Sequence, residues 1–560
     1  MRRNRWLLLV AAVLAVLAFG AAGCGGGDDE EGAPEPAATG EGDTGGEPAA
    51  VQEITMGWGA EPPSLDPGLA TDTTSANVIL NLMDPLVVLD ENLEPQPNLA
   101  ESWEVSPDGT TVTYTLRQDG AWTNGDPVTA NDFVYSWKRT LSPELAADYA
   151  YQLYGIVGAQ EYNACENNCA AMADAVGVRA VDDYTLEVKL TSPQPWFVGQ
   201  SAHHSFLAVH QATVEQFGEA WTDPANIVTN GPFQLEAWEH EASIDLVKWE
   251  DWRNADEVDL TRVNGRIIVD GTTRVQAFEA NEIQALDGSG LPPAEMQRLK
   301  ELEEYEQYEY LGTYYYGFNI ENITDVNQRK AMSLAVDRQT IIDNIAQADQ
   351  VPATGMTPAG IPGFEEINPD SPWTPASGDV EQAQQLMDQV ASPKTNINLF
   401  HNNAPGHREI AVAVQDMWSE IGITTTIRAQ EWAQYLEFLG PPPSNQVDVY
   451  RLGWIYDFGD AINGLELWTC DSGNNNTNFC NEEFDGLIAE ARQTPDETDR
   501  NAIYAQAEDI MFGEDGEMPI MPIYFYTLPN LEDLCIKDTF YIGALNSLDL
   551  TDVTVEGECS

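Results

Sequence analysis

The stretch NINLFHNNAPGHREIAVAVQDMWSEIGITTTIRAQ, residues 396–430, is the clearest indication of the fold class of this chain. Its ends, NINLFHN (396–402) and ITTTIRAQ (423–430), are short and rich in the branched residues that favour β-strands. Between them, REIAVAVQDMWSEIG (408–422) carries apolar residues at the spacing of one helix face. This succession of strand, helix and strand predicts mixed α/β domains rather than a repeat protein, a solenoid or a helical bundle.

The same alternation of strands and helices continues along most of the chain. Period-two patterns predict strands at VTYTLRQDGAW (112–122), TLEVKL (185–190) and SIDLVKW (243–249). Apolar residues at helical spacing predict helices within 326–345 and 379–390. With 560 residues and 43% hydrophobic content, the chain is long enough for two or more domains with sizeable cores.

The charge balance is strongly acidic, with 92 Asp and Glu residues against 25 Lys and Arg and a formal net charge of −67. A field of this sign repels phosphate backbones, which argues against nucleic acid as a partner. Two explanations of the acidity stay open. Either the acidic surface keeps the protein soluble in a salty medium, where salt screens its self-repulsion, or the field attracts cationic ligands.

The N-terminus, MRRNRWLLLVAAVLAVLAFGAAGC (1–24), has arginines and an apolar run before a cysteine. The apolar run is too short for an ordinary membrane span and predicts a signal peptide over residues 1–23. Ala-Ala-Gly-Cys at 21–24 resembles the bacterial lipobox, although Ala21 stands where leucine is usual. Lipidation of Cys24 would anchor the protein to the outer face of the cell membrane. The alternative is a plain secreted protein that is cut nearby.

Residues 25–50 consist of Gly, Asp, Glu, Ala, Pro and Thr, with no large apolar residue. Such a segment cannot bury enough surface to offset its chain entropy. We therefore expect residues 24–50 to be a lipidated, flexible tether with a span of about 28 Å. No second long apolar run follows, so the remainder is predicted to be soluble and extracytoplasmic.

Six cysteines follow Cys24, and an even number in an exported chain argues for disulfides. We expect neighbours in sequence to pair with each other. A zinc site is the competing interpretation, but the chain has no CxxC pair and few histidines. The expected disulfides are Cys165–Cys169, Cys470–Cys480 and Cys535–Cys559.

The sequence shows little sign of catalysis. HExxH, GxSxG after a strand, GxxxxGK[ST], GxGxxG opening a helix and the calcium-loop pattern are all missing. His203 and His204 are a possible metal pair, but adjacent side chains on a strand or helix point apart, so we expect exposed or packing histidines. Distant Ser, His and Asp residues can still converge in space. The residues alone therefore leave an enzyme open without supporting one, and we expect no catalytic residue, metal or cofactor.

Seven segments match one protein family in content, order and spacing. They are PSLDP (63–67), NLAESWEVSPDGTTVTYTLRQDGAWTNGDPVTANDFVYSWKR (98–139), VDDYTLEVKL (181–190), NIVTNGPF (226–233), TYYYGFN (313–319), RKAMSLAVDR (329–338) and RLGWIYDFGD (451–460). The family that they resemble is that of the extracytoplasmic solute-binding proteins of peptide and nickel ABC importers, and within it the oligopeptide-binding branch.

The resemblance implies a two-lobed fold like that of the class II periplasmic binding proteins, with an extra third domain and a discontinuous first domain. The ligand would be enclosed where the lobes meet. The chain would cross between the lobes near Leu311 and Tyr526, which are therefore the expected hinge. The implied boundaries are 51–83, 208–311 and 527–560 for domain I, 84–207 for the extra domain II, and 312–526 for domain III.

The stretch GWIYDFGD (453–460) places two carboxylates among three aromatic rings. A carboxylate moved out of water needs a positive partner or several hydrogen bonds, or it takes up a proton. The resemblance implies that Asp457 meets the α-ammonium group of a bound peptide. The alternatives are that Asp457 pairs with Arg451, or that it is one more solvated acid.

The resemblance also implies that the peptide backbone lies between two strand segments, so that main-chain groups supply affinity whatever the side chains. Roomy pockets in which water completes the polar contacts would then tolerate many sequences. For the aromatic walls of these pockets, ordinary core packing is an equal alternative. The residues concerned are Thr71, Asp72, Thr73, Gly453, Trp454 and Ile455 for the backbone contacts, and Tyr149, Trp454 and Tyr526 for the walls.

The carboxylate of a peptide ligand needs positive groups nearby. The resemblance implies that His407 and Arg451 face that end of the ligand, directly or through water. The alternatives are a surface histidine for His407 and a structural pairing with Asp457 for Arg451.

The chain departs from the best-studied branch of this family at several positions. Thr71 replaces an acid near the ligand amine, and the loop 439–446 and Ala346 lack the arginine and the lysine that serve longer peptides. Gly312 and Ile455 stand where two cysteines are joined across the hinge. These departures leave the peptide length and the ligand class open.

The predicted function is that of a monomeric, membrane-tethered receptor that captures short peptides and delivers them to the transmembrane subunits of an ABC permease. The same transport role with a nickel complex, haem, an oligosaccharide or a cell-wall peptide is the first alternative. A secreted hydrolase is the second. An adhesion or signalling receptor that binds peptides without feeding a transporter is the third.

Overall fold

The computed structural model describes residues 51–560, apart from 289–290, 369–370, 404–405, 431, 441–442, 471, 538–540, 544, 546, 558 and 560. The predicted signal peptide, Cys24 and the tether lie outside the described residues. Of the described helices, none combines the length and the hydropathy that crossing a membrane requires.

Strands and helices alternate along the described chain. The strands are β1 Glu53–Trp58, β2 Val87–Leu89, β3 Pro95–Pro97, β4 Ala100–Val105, β5 Thr111–Leu116, β6 Val178–Asp182, β7 Thr185–Lys189, β8 Phe233–Glu239, β9 Ser243–Lys248, β10 Arg262–Ile267, β11 Ala285–Leu286, β12 Tyr305–Phe318, β13 Val351–Pro352, β14 Asn396–Asn402, β15 Thr424–Gln430, β16 Val449–Ile455, β17 Ile520–Leu531, β18 Ile536–Lys537, β19 Tyr541–Ile542, β20 Leu548–Asp549 and β21 Thr554–Val555. The α-helices are α1 Thr73–Leu82, α2 Ala130–Thr140, α3 Ala159–Asn163, α4 Cys169–Ala175, α5 Phe197–Gln200, α6 Gln211–Phe217, α7 Gly271–Glu279, α8 Met296–Leu299, α9 Val326–Leu334, α10 Arg338–Ile341, α11 Phe364–Ile367, α12 Val380–Met387, α13 His407–Ser419, α14 Trp432–Leu439, α15 Ile462–Leu465, α16 Glu482–Ala491 and α17 Glu497–Phe512. Short 3₁₀ helices span Asp148–Leu153, His204–Phe206, Gly218–Thr222, Ala255–Glu257, Pro293–Glu295 and Glu466–Trp468, and a π-helical turn spans Ile342–Ala346.

Residues 396–430 form the strand, helix, strand unit that their sequence predicts. β14 and β15 pair in parallel, from Asn396 opposite Thr424 to Asn402 opposite Gln430. One face of α13 is buried, as its helical periodicity predicts. The buried side chains are Ile410, Ala411, Val414 and Trp418. The unit joins a six-stranded sheet in the order β13-β17-β12-β16-β14-β15, so the predicted α/β class is confirmed.

Two further sheets hold the other strands predicted from alternation, although the strand predicted over 112–122 ends at Leu116. One has five strands in the order β11-β1-β10-β9-β8, and the other has four antiparallel strands in the order β4-β5-β7-β6. In β5, the side chains of Val112, Tyr114 and Leu116 are buried, and those between them are not. Each strand therefore presents one face to a core, which is the arrangement that a period of two produces.

Each large sheet has its own hydrophobic core. The largest cluster of buried residues lies within 311–524 and packs on the six-stranded sheet. A second cluster lies within 86–208, around the four-stranded sheet. A third draws on 54–83, 207–285 and 528–555, around the five-stranded sheet. These ranges fall close to the expected domain limits, but the domain boundaries themselves stay predictions.

The long strands β12 and β17 run from one core to another and pair antiparallel along most of their length. Their register shifts where Glu309 pairs with Thr527 and Thr313 pairs with Phe525. Residues 310–312 of β12 therefore lie opposite the single residue Tyr526 of β17. A bulge of this kind bends a strand and increases its twist. It lies at the two positions for which the hinge is predicted.

All three expected disulfides are present. They join Cys165 to Cys169, Cys470 to Cys480, and Cys535 to Cys559. Each closes a short loop, as pairing between sequence neighbours requires. Asp533 approaches the last pair, but both sulfur atoms are used in the disulfide bond, so this group does not offer the thiolate ligands that zinc prefers.

A buried ion pair fixes the segment that leads from β1 to α1. Arg139 of α2 donates from Nη1 to Oδ1 of Asp66, at 2.9 Å, and Trp221 donates from Nε1 to Oδ2, at 3.1 Å. Asp66 also accepts from the backbone N–H of Gly68. The PSLDP segment is thereby tied to α2, which holds the chain immediately before residues 71–73 in place.

Candidate functional site

A cavity of about 700 Å³ lies between residues that are far apart in sequence. Most of the residues predicted to bind ligand line it. They are Thr71, Asp72, Thr73, Tyr149, Gly453, Trp454, Ile455 and Asp457. The other three, Arg451, His407 and Tyr526, are not part of its described lining. A volume of this size is typical of a small-ligand site.

The first wall is the segment 71–73, which precedes α1. Asp72 is the N-cap of α1, with an extended backbone, and its Oδ1 accepts from the N–H of Ser75 at 2.9 Å. The carbonyl of Ala70 is bound by Nε2 of His204 at 3.0 Å. Among the described residues, the N–H groups of Thr71 and Asp72 have no hydrogen-bond partner. The segment therefore offers extended backbone with free donors to the cavity.

The second wall is the end of β16. On one side, β16 pairs with β12, with Trp454 opposite Thr313 and Gly453 opposite Tyr314. On the other side, β14 pairs with β16 only as far as Tyr450. No described strand pairs with residues 453–455 on that side. The cavity is therefore bordered by an open strand edge, which is the structural requirement for β-augmentation.

Asp457 follows β16 and faces this cavity with no positive partner among the described residues. Its Oδ2 accepts from Nε2 of Gln152 at 2.8 Å and from Nδ2 of Asn463 at 3.2 Å. Its Oδ1 has no described hydrogen-bond partner. The pKa of the Asp457 carboxyl is raised to about 6, mainly by burial and to a smaller extent by the nearby Glu466, against the opposing effect of these two amides.

The alternative pairing of Asp457 with Arg451 is wrong. Arg451 is buried and donates from Nη2 to the hydroxyl of Tyr526 at 2.7 Å and from Nη1 to Oδ1 of Asn402 at 3.1 Å. Its guanidinium also lies 4.3 Å from the ring centroid of Tyr314. Arg451 is therefore held by neutral oxygens and an aromatic face, and it leaves the carboxylate of Asp457 unneutralised.

The aromatic cluster around Arg451 also holds His407 and Tyr526. Nδ1 of His407 lies 3.3 Å from the hydroxyl of Tyr314. Burial, and then the charge of Arg451, lower the pKa of His407 to about 2. The expectation that His407 supplies a positive charge is therefore wrong for this arrangement, and Arg451 is the charged member of the cluster. Whether these residues contact a ligand stays a prediction.

The two adjacent histidines pack against each other, contrary to the expectation that their side chains point apart. The ring centroids of His203 and His204 are 4.1 Å apart, and both lie within 6 Å of the ring of Tyr149. His204 begins a short 3₁₀ helix, so the alternation of a strand does not apply. Burial lowers the pKa of both histidines. They are neutral packing residues of the cavity wall.

Sequence reasoning missed the two amides that hold Asp457. Gln152 lies 305 residues away from it in sequence, and no motif marks it. Asn463 lies six residues beyond Asp457 and also accepts from Nε1 of Trp454 at 2.9 Å. A polar residue within the apolar run AINGLELW is the only sequence signal for Asn463.

The lining of the cavity is strongly acidic. Among the described lining residues, Arg253 is the single Lys or Arg. The guanidinium of Arg253 forms an ion pair with Asp84 and a hydrogen bond with Asn98. A cavity with this balance of charge favours cationic groups of a ligand. The acidic residues of the described lining are Asp72, Asp84, Asp90, Glu257, Asp457, Asp549 and Asp552.

Comparison with known proteins identifies relatives of the chain over nearly its full length. Residues 94–476 match the model of the bacterial extracellular solute-binding proteins, family 5. The oligopeptide-binding protein OppA of Bacillus subtilis (strain 168) is 34% identical over 561 residues, which cover 97% of this chain and 98% of that protein.

Solved structures of similar proteins share this architecture. Haemophilus influenzae OppA in complex with RPPGFSPFR has 30% identity and a TM-score of 0.75, covering 90% of this chain and 99% of that one. The murein tripeptide binding protein MppA of Escherichia coli has 29% identity and a TM-score of 0.77, with the same coverage. These similarities confirm the expected two-lobed α/β fold.

Proposed function

The chain belongs to the bacterial extracellular solute-binding proteins of family 5, and on that premise we propose that it captures short peptides for an ABC importer. The peptide lies in the cavity between residues 71–73 and 453–457. Its α-ammonium group meets Asp457, and its backbone meets the strand edges. The relatives support the peptide class, because one is named an oligopeptide-binding protein and another was solved with a peptide.

The observation that carries this proposal is the carboxylate of Asp457. It faces the cavity without a base, and only one of its oxygens is occupied by described donors. An ammonium group at Oδ1 would supply the missing positive charge. Such a charge-assisted hydrogen bond contributes about 1.5 to 3 kcal/mol net.

Backbone recognition would make binding tolerant of peptide sequence. The open edge at residues 453–455 and the free N–H groups of Thr71 and Asp72 supply donors and acceptors for an extended main chain. Main-chain hydrogen bonds do not depend on side chains. The acidic lining adds a preference for peptides that carry Lys or Arg.

The carboxylate of the peptide would lie toward the aromatic cluster. Arg451 is the fixed positive charge there, and the hydroxyl of Tyr526 accepts a hydrogen bond from its Nη2. A ligand carboxylate would reach this charge through Tyr526 or through water. His407, which is neutral here, would act as a hydrogen-bonding group.

Binding would favour closure because the ligand bridges elements on both sides of the cavity. Residues 71–73 lead from Ala70 into α1, which pack in the core around the five-stranded sheet, and Asp457 follows β16 of the six-stranded sheet. A ligand shifts a conformational equilibrium only through contacts that differ between the two states. The register shift at residues 310–312 of β12 supports a hinge at that point.

The protein would act at the cell surface as a monomer. Lipidation of Cys24 would anchor it, and residues 25–50 would hold the folded part a short distance from the membrane. The closed, loaded form would then be presented to the transmembrane subunits of the permease. This role needs no catalysis, and the family is one of binding proteins.

Calorimetry with di- to pentapeptides tests the proposal. We expect heat from peptides with a free amine, little from their N-acetylated forms, and a large loss of binding in Asp457→Asn. Asp416→Asn is the matched control, because Asp416 is an exposed carboxylate on α13. Equal binding of acetylated and free peptides would refute the role of Asp457. If the protein binds a nickel complex or an oligosaccharide and none of these peptides, the assignment of peptides as the ligand class is refuted.

A further inference from the structure

The carboxylate of Asp457 is held from a distant part of the chain. Gln152 lies in the 3₁₀ helix Asp148–Leu153, within the region around the four-stranded sheet, and its Nε2 donates to Oδ2 of Asp457 at 2.8 Å. Tyr149, from the same 3₁₀ helix, lines the cavity. The hydrogen bond therefore links two core regions at the cavity wall.

A second glutamine fixes the orientation of Gln152. Nε2 of Gln200 donates to Oε1 of Gln152 at 2.8 Å and to its backbone carbonyl at 3.2 Å. Both side chains are buried, at 5% and 6% exposure. Because an amide has one acceptor end and one donor end, a Gln152 that accepts from Gln200 must direct its NH₂ group toward Asp457.

The two amides around Asp457 bind the same oxygen. Gln152 and Asn463 both donate to Oδ2, which leaves Oδ1 for the cavity. An aligned carboxylate loses little freedom when an ammonium group binds it. The arrangement is the one that a pre-organised anchor requires.

We propose that Gln152 is a positioning residue for peptide capture: it orients the Asp457 carboxylate and completes the ammonium site only when the region 84–207 contacts the segment 453–460. This inference rests on the proposed function. A second contact between the same regions supports it, because the rings of Trp196 and Phe458 are stacked, with centroids 6.3 Å apart and planes at 13°.

Other titratable groups also face this site. Glu466, which begins a 3₁₀ helix after Asp457, raises the pKa of the Asp457 carboxyl, and the hydrogen bond from Gln152 lowers it. Tyr149 and Tyr151 lie on the other side, and the charge of Asp457 contributes to the raised pKa of both. Asp72 acts on Tyr149 in the same direction. The neutral rings of His203 and His204 complete this side.

Gln152→Leu tests the inference, with the affinity measured by calorimetry from pH 5 to 8. The probes are trialanine, trilysine and their N-acetyl forms. Loss of the donor should raise the pH midpoint of free-amine binding by about one unit, so that the affinity at pH 6 falls about fivefold. The double variant Asp457→Asn with Gln152→Leu should bind peptides with the same affinity as Asp457→Asn alone, because Gln152 acts on binding only by way of the Asp457 carboxylate.

Gln194→Leu is the matched control. Gln194 is another amide of the same region, and it donates to the carbonyl of Gly155 rather than to Asp457. It should leave the pH midpoint unchanged. A Gln152→Leu profile that coincides with that of the unaltered protein overturns the inference, and so does an equal midpoint shift in Gln194→Leu.

A measurement without ligand separates this inference from the proposed function. In ¹³C NMR of aspartate-labelled protein, the Asp457 signal is the one lost in Asp457→Asn. Its titration should move to higher pH in Gln152→Leu. If no peptide binds but this shift is seen, the peptide assignment fails and the positioning role stands. If peptides bind and the shift is absent, the positioning role fails.

Discussion

Asp457 and Asp460 lie three residues apart in GWIYDFGD, yet the fold treats them in opposite ways. Asp460 is buried against a base of its own chain: Nη2 of Arg500 lies 3.0 Å from its Oδ2, and the hydroxyl of Tyr504 donates to its Oδ1 at 2.6 Å. Asp457 receives only amide hydrogen bonds from described residues, and it lines the cavity. The carboxylate of Asp460 is neutralised within the chain and stabilises the folded structure. The carboxylate of Asp457 has no such base among the described residues and can bind a cationic group of a ligand.

The same contrast holds for the bases. Arg500 neutralises an acid, whereas Arg451 is held by Tyr526, Asn402 and the ring of Tyr314. A buried charge without a counter-charge is costly unless hydrogen bonds or a ligand compensate it. The molecule therefore keeps one negative and one positive group without a described counter-ion near the strand edge, which matches the two charged ends of a peptide.

The largest expected effect concerns the paired acid. Asp460→Asn should lower the free energy of unfolding by about 3 to 5 kcal/mol, because it leaves the buried guanidinium of Arg500 without a counter-charge. Chemical denaturation measures this loss. The peptide affinity of the folded fraction should be retained. The double variant Asp460→Asn with Arg500→Met should recover part of the stability. An unchanged free energy of unfolding in Asp460→Asn alone would contradict the structural role of Asp460.

The next effect concerns the unpaired acid. Asp457→Asn should weaken binding of free-amine peptides by about 2 to 5 kcal/mol, because the ligand ammonium would be enclosed without a counter-charge. Calorimetry measures the loss, with Asp416→Asn as the control. The free energy of unfolding should not fall, because the variant removes a desolvated charge. If Asp457→Asn lowers the free energy of unfolding as much as Asp460→Asn does, Asp457 also has a structural role and the contrast between the two acids is wrong.

The two acids should also differ in their response to pH. The folded pKa of Asp457, about 6, is above its ordinary value of 3.8, so the folded protein binds the proton more tightly than the unfolded chain. Its contribution to stability is therefore greatest below about pH 4 and falls as the pH rises toward 6. Peptide affinity should change in the opposite direction and decrease about tenfold for each unit below pH 6. In Asp457→Asn, affinity should lose this dependence; a dependence that survives would assign the titration to another group.

The smallest expected effect tests the strand edges. A peptide with one internal amide N-methylated should bind about 0.5 to 1.5 kcal/mol more weakly, because one main-chain hydrogen bond is lost. Exchange of an alanine side chain for leucine at the same position should change the affinity less. Calorimetry on matched tetrapeptides compares the two. If side-chain exchange has the larger effect, backbone pairing is not the main contact beyond Asp457.

Much of the fold was predictable because it depends on local patterns. The strand, helix, strand unit at residues 396–430 and the alternation in β5 follow from the periods of apolar residues. The disulfides join cysteines that are close in sequence, so pairing of neighbours succeeded. His203 and His204 are packing residues, as expected, but the expectation that their side chains point apart was wrong, because a 3₁₀ helix follows neither the strand nor the α-helix period.

The candidate site was predictable where motifs carry it and unpredictable where distant residues meet. The motif RLGWIYDFGD and the segment 71–73 contain most of the predicted site residues that line the cavity. The charge state of His407 was mispredicted, because it depends on burial beside Arg451. No motif indicated Gln152, which reaches Asp457 from 305 residues away.

The α/β class, the acidic character, the disulfide pairing and the family could all be read from the amino-acid sequence, because they depend on periodicity, composition and motifs in fixed order. The packing of distant segments was needed to show which of the two neighbouring acids meets a base of its own chain. Asp460 meets Arg500 and Tyr504, and Asp457 meets Gln152 and Asn463. The electrostatic environment of a carboxylate is set by groups within a few ångströms, and the long-range packing of the chain chooses those groups.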